Sequence, residues 1–195
     1  MAGLIHHLVF AYPISLPWYL TRTAAISAYI ALSTTVILGI LRPLARATGD
    51  RLSWITDELH QFVALLAGLL ALGHLVTLKV DEFIPFTIKN LLLPGDQPYS
   101  PFATNLGVFA AYSFIIVLLT SWLRGRIPYP LWRTLHYLSF VTFVLVSLHG
   151  WLGGSDSGEP WTHALYVGMS TTVGFLVLMR LFFRPSKTRA VEAEA

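Results

Sequence analysis

Long apolar stretches separated by short polar ones dominate the chain. Five of them, at residues 23–41, 59–80, 102–123, 131–152 and 163–183, approach the about 20 mostly apolar residues that an α-helix needs to cross a bilayer. Pro13 and Pro17 break the region before the first stretch, so residues 1–21 are expected to form a short N-terminal interfacial segment. No positive residue precedes its apolar part, which argues against a signal peptide. Residues 86–93 are too short to span and are expected at the membrane surface, followed by a turn at Pro94, Gly95, Asp96 and Pro98. Residues 153–158, rich in Gly and Ser, read as a flexible loop. No linker divides the chain. The expected fold is all-α, an integral membrane helical bundle of about five transmembrane helices over residues 22–183, with 184–195 as a cytoplasmic tail.

Composition sharpens this picture. Of 195 residues, 55% are hydrophobic and 12% charged, about half the charge of an ordinary soluble domain. Mean hydropathy is +0.64. A soluble enzyme with an ordinary surface and a disordered chain are both excluded. Cysteine is absent, which removes disulfides, thiolate-ligated haem, iron–sulfur clusters and cysteine zinc sites. Seven histidines are the main ligand resource.

The net charge of +3 points to topology rather than to nucleic acid. Arg42, Arg46, Arg51, Arg124, Arg126, Arg133, Arg180, Arg184, Lys187 and Arg189 fall on one side of the spans, and Arg22, Lys79 and Lys89 on the other. The positive-inside rule places the first set in the cytoplasm. The N-terminus is then outside, the C-terminus is cytoplasmic, and spans two and four both run from inside to outside in a cell membrane.

Histidine is uncommon inside a span because a polar group there needs a partner. Span two carries His60 and His74, and span four carries His136 and His149. His60 follows Asp57 and Glu58, and His136 follows Arg133, so both belong near the cytoplasmic edge. His74 precedes Lys79 and His149 precedes the Gly-rich loop, so both belong near the outer edge. Depth therefore pairs His60 with His136 and His74 with His149. Facing imidazoles suit the two axial positions of a haem iron. The separations of 14 and 13 residues correspond to roughly 21 and 20 Å of helix, so two stacked haems would cover most of a hydrocarbon core about 30 Å thick.

One spacing fits a straight helix poorly. At 100° per residue, 14 steps return to within about 40° of the same face, whereas 13 steps miss it by about 140°. Span four must tilt, unwind locally, or approach its two haems from different sides. Two other uses of these histidines remain open: core residues hydrogen-bonded to Ser, Thr or backbone groups, and a proton path, although no Asp or Glu lies mid-span.

With these residues in view, the chain resembles the ferric reductase-like transmembrane domain family. That family includes ferric reductases, NADPH oxidases and the haem-binding subunit of a bacterial methionine sulfoxide reductase system. His60/His74 and His136/His149 match its two histidine pairs, two helices apart. The words Leu131-Trp-Arg-Thr-Leu-His-Tyr-Leu and Ser147-Leu-His-Gly-Trp151 look like its second haem helix, and Trp18-Tyr-Leu-Thr-Arg22 like bacterial members. The resemblance covers roughly residues 18–183. It implies two haem b, with His60, His74, His136 and His149 as iron ligands. It also implies electron transfer from the cytoplasmic side outward to Fe(III), oxygen or a partner protein. The chain has no Gly-rich phosphate loop and no room for a dinucleotide fold. It is thus expected to be an oxidoreductase component that does not oxidise NAD(P)H unaided, its donor being a flavoprotein or a membrane quinol. A haem-containing membrane anchor that docks and supplies a partner oxidoreductase is the alternative, and a haem-free scaffold a third.

Haem propionates need cations or donors near each membrane face. Arg133, one turn before His136, is the inner candidate, with Arg46 and Arg51 behind it. Arg22 is the outer candidate, with Lys79 second. Phe140 and Phe143 lie between the span-four histidines, as haem spacers or as ordinary packing. Trp18, Trp132, Trp151 and Trp161 lie near span ends, where aromatic belts occur. His6, His7 and His163 are expected on the outer surface, solvated or binding an electron-accepting metal ion.

Overall fold

In the computed structural model the chain folds as an α-helical bundle with no strand among the described residues. These are residues 16–48 and 50–182, with the backbone alone described over 44–48 and 50–56. Among the described residues seven helices follow in order: α1 (Leu16–Thr48), α2 (Asp50–Val80), α3 (Ile88–Leu92), α4 (Pro101–Trp122), α5 (Tyr129–His136), α6 (Leu138–Gly153) and α7 (Pro160–Phe182). Among the described residues five segments are long and apolar enough to cross a membrane: Leu16–Pro43, Asp57–Val80, Pro101–Trp122, Tyr129–Gly153 and Pro160–Phe182. The protein is thus a multi-pass membrane protein.

The first span starts earlier than the sequence pattern suggests. Residues 16–21, assigned above to the interfacial segment, are helical and continuous with α1. Pro17 occupies its first turn, where a missing N–H leaves no hydrogen bond unmade. Residues 1–15, His6 and His7 among them, and the tail beyond residue 182 lie outside the described residues.

α1 and α2 form a long antiparallel hairpin, tied near its closed end by Arg42 Nε donating to Asp57 Oδ1 at 2.5 Å. α4 packs on α6, and α7 closes against α1 and α6. One buried cluster joins α1, α6 and α7 through Tyr29, Val36, Ile40, Phe143, Tyr166 and Val173. A second joins α1 to α2 through Ala31, Leu32 and Ala67, with Phe114 of α4 and Val146 of α6 against them. Phe140 and Phe143 thus serve packing on the α1–α7 side.

Three interior hydroxyls are satisfied within their helices: Ser33 donates to Tyr29 O, Thr35 to Ala31 O and Thr142 to Leu138 O at 2.8–2.9 Å. Ser113 and Thr142 also bond each other, joining α4 to α6. The outer row of α2, with Phe62, Leu65, Leu69, Leu72 and Val76, is exposed, as a surface facing lipid tails should be. The surface segment is shorter than drawn from sequence: only Ile88–Leu92 is helical, held by a capping box between Thr87 and Asn90.

Candidate functional site: two facing histidine pairs

Span four is two helices. α5 ends at His136, Tyr137 is a turn residue, and α6 begins at Leu138. Tyr137 N–H is shared between Arg133 O and Thr134 O, and Phe140 N–H reaches Tyr137 O at 3.1 Å. The bonds to Thr134 O and Tyr137 O are three-residue steps of 3₁₀ type, which turn about 120° per residue instead of 100°. No proline or glycine lies at the break. The 13-residue spacing is thus interrupted by a local change of winding at Tyr137.

With the joint in place, both rings of the fourth span meet those of the second. His60 and His136 have ring centres 6.2 Å apart and interplanar angle 60°; His74 and His149 are 6.4 Å apart at 67°. The structure thus brings together the pairs that depth assigned. A metal–imidazole bond is about 2 Å and the ring centre lies about 1 Å further on, so two imidazoles on opposite sides of one metal ion have centres about 6 Å apart. Both pairs have that spacing.

The second nitrogen of each ring is also accounted for. His60 Nδ1 donates to Thr35 O at 2.9 Å, His74 Nδ1 to Thr21 O at 3.1 Å and His149 Nδ1 to Ala103 O at 2.7 Å. A carbonyl only accepts, so Nδ1 carries the proton and Nε2 keeps its lone pair. Each of these carbonyls lies in a helix and uses its second lone pair for the ring. His136 Nδ1 instead faces the Ser121 hydroxyl at 3.3 Å. Ring orientation through the distal nitrogen is how ligating histidines are fixed.

Two glycines make room for the rings. A methyl group on Gly107 would lie 2.8 Å from His149 Cε1, and one on Gly39 would lie 3.1 Å from His60 Cε1. Between the pairs, Ala67 is buried against Phe114 and Val146 and halves the distance from His60 to His74. Two polar atoms near the pairs are buried without a partner: Thr21 Oγ1, on the residue that holds His74, and Trp132 Nε1, on the ring stacked against His136. The donor set, ring spacing and glycine clearances fit two axial ligand pairs. No group of three His, Asp or Glu side chains that could hold a metal ion occurs among the described residues; a haem iron needs two, its other four donors belonging to the porphyrin.

The cations are placed differently from the sequence expectation. Arg133 is exposed and donates to Tyr137 OH at 3.2 Å. Arg124 instead lies over the Trp132 ring at 4.5 Å, and that ring is stacked on His136; Arg42 pairs with Asp57. Arg22 donates to Asp156 Oδ2 at 2.8 Å and lies over Trp18, bridging α1 to the α6–α7 loop. Lys79 is exposed. The side chains of Arg46 and Arg51 lie outside the described residues. His163 is exposed and stacks on Trp151 at 4.8 Å. Sequence reasoning missed the carbonyls of Thr21, Thr35 and Ala103, together with Ser121, Gly39 and Gly107.

The family of ferric reductase like transmembrane components matches residues 24–147. The chain belongs to that family. The matched segment contains His60, His74 and His136, and His149 follows two residues after it. No curated protein and no solved structure matches the chain.

Proposed function

We propose that this ferric reductase-like chain carries electrons across the membrane through two b-type haems. His60 and His136 would hold the haem on the cytoplasmic side, and His74 and His149 the outer one. The supporting observation is the two facing ring pairs at 6.2 and 6.4 Å, three of whose four rings are tied through Nδ1 to backbone carbonyls so that Nε2 keeps its lone pair. When bound, each haem supplies a one-electron couple at its own depth. The chain's residues set the rest. Carbonyls on α1 and α4 fix the rings, and the Ala67 layer keeps the space between the sites apolar. Arg42, Arg124 and Arg133 offer positive charge for propionates at the inner face, and Arg22 at the outer. The excess of Arg and Lys at the inner face puts the N-terminus outside and the C-terminus in the cytoplasm. A flavoprotein or a membrane quinol supplies the electrons, and Fe(III), oxygen or a partner protein takes them.

Pyridine haemochrome analysis of the purified chain, with a reduced-minus-oxidised spectrum, tests this. The expected ratio is two haem b per chain with low-spin spectra. A ratio of one at full occupancy would remove one pair from the ligand set, and a haem-free chain would overturn the proposal.

A further inference from the structure

The four histidines are not held alike. α1 presents Thr21 O and Thr35 O to His74 and His60. The carbonyls and the rings are each 14 residues apart on antiparallel helices, about four turns in both cases, so one straight helix serves both rings of the other. α4 serves the fourth span, but there the rings are 13 residues apart with a joint between them. Ala103 O, in the first turn of α4, takes His149. At the inner end the ring is out of phase with that arrangement. His136 meets no carbonyl there, only the Ser121 hydroxyl in the last turn of α4, at 3.3 Å.

A second contact supports the same ring. The Trp132 indole, one turn earlier on α5, lies 5.0 Å from His136 at an interplanar angle of 26°. The Arg124 guanidinium lies over the same indole at 4.5 Å, and the indole Nε1 is buried with no hydrogen-bond partner among the described residues. The indole is therefore held by its faces and not by its N–H. His136 is the last residue of an eight-residue helix, so little backbone steadies it from behind.

We propose that Ser121 and Trp132 are the positioning residues of His136, together taking the place of the backbone carbonyl that fixes each of the other three histidines. Ser121 accepts from Nδ1–H and sets how strongly the ring donates to a metal at Nε2, while Trp132 sets the ring's rotation. This rests on the di-haem proposal above. It makes the inner site the one whose ligand strength is set by a replaceable side chain, whereas the outer site has only backbone behind it.

The test uses the full-length haem-loaded chain, with the inner signals assigned from His60→Leu. Ser121→Ala removes the acceptor, weakens the donation of His136, and should move the inner couple to a more positive potential while the outer couple stays where it is. Trp132→Leu should shift the low-spin ferric EPR signal of the inner haem and lower its occupancy. Trp132→Phe, which keeps the stack without the N–H, should restore both. Unmoved inner potential in Ser121→Ala, or a Trp132→Phe protein as impaired as Trp132→Leu, would overturn the assignment. If Trp132→Leu yields no folded protein, the Ser121→Ala potential decides alone. A wild-type chain without haem would sink the di-haem proposal itself; a wild type with two haems whose inner couple ignores Ser121 would sink only this one.

Discussion

Gly107 faces the His149 ring so closely that a methyl group added to it would lie 2.8 Å from both Cε1 and Nδ1. The ring cannot retreat without giving up its 2.7 Å bond to Ala103 O. Gly107→Ala should therefore strip the outer haem and cost about 1–3 kcal/mol, the usual range for forcing a methyl into a packed interior. Gly39→Ala meets only His60 Cε1, at 3.1 Å, and should do less. Haem-to-protein ratios of the two variants check this; a full complement in Gly107→Ala would contradict it.

His60→Leu and His136→Leu should lose the same haem and give matching spectra, and His74→Leu and His149→Leu should match each other with a different spectrum. The reason is that the rings meet pairwise at 6.2 and 6.4 Å. A spectrum of His60→Leu that resembled His149→Leu would mean that the pairing is crossed.

The Arg22–Asp156 ion pair joins α1 to the α6–α7 loop, with the two side chains 27% and 14% exposed. A partly shielded pair at the edge of the bundle is worth only about 1 kcal/mol. Arg22→Gln and Asp156→Asn should each cause a small and similar drop in thermal stability, and the double variant should add almost nothing to either. Fully additive losses would show that the two side chains act separately.

Thr142 is 1% exposed and bonds Ser113 at 2.8 Å as well as Leu138 O. Thr142→Val keeps the shape and removes the cross-helix bond, at an expected cost of about 1 kcal/mol. Unfolding in detergent should report that loss while the haem ratio is unchanged.

Much of this was legible in the chain. A span is a length of apolar residues, and that length is countable. The histidines could be paired by depth because charged residues beside His60, His74 and His136 mark the membrane edges. The anchoring of the rings was not legible, because Thr21 O, Thr35 O and Ala103 O are backbone atoms and any residue type would supply them. The surroundings of the inner cations were not legible for a related reason. Arg133 is nearest to His136 in sequence, but on α5 its side chain turns to Tyr137 OH, whereas Arg124, over the indole stacked on His136, comes from the turn after α4. The start of α1 was set late because Pro17 was taken as a breaker, when a first turn accepts it. The joint at Tyr137 was announced only as an inconsistency: 13 residues could not bring two rings onto one face of a straight helix, and no glycine or proline marked where it would yield.

That joint makes the fourth crossing two short rods in place of one shaft. On a single shaft, any roll that improves the aim of one ligand spoils the aim of the other. With the break at Tyr137, His149 sits against the first turn of α4 on one rod and His136 against its last turn on the other. The second crossing has no such break. His60 and His74 ride on one unbroken helix and keep a single bearing, so α2 is the fixed datum to which each half of the fourth crossing is set.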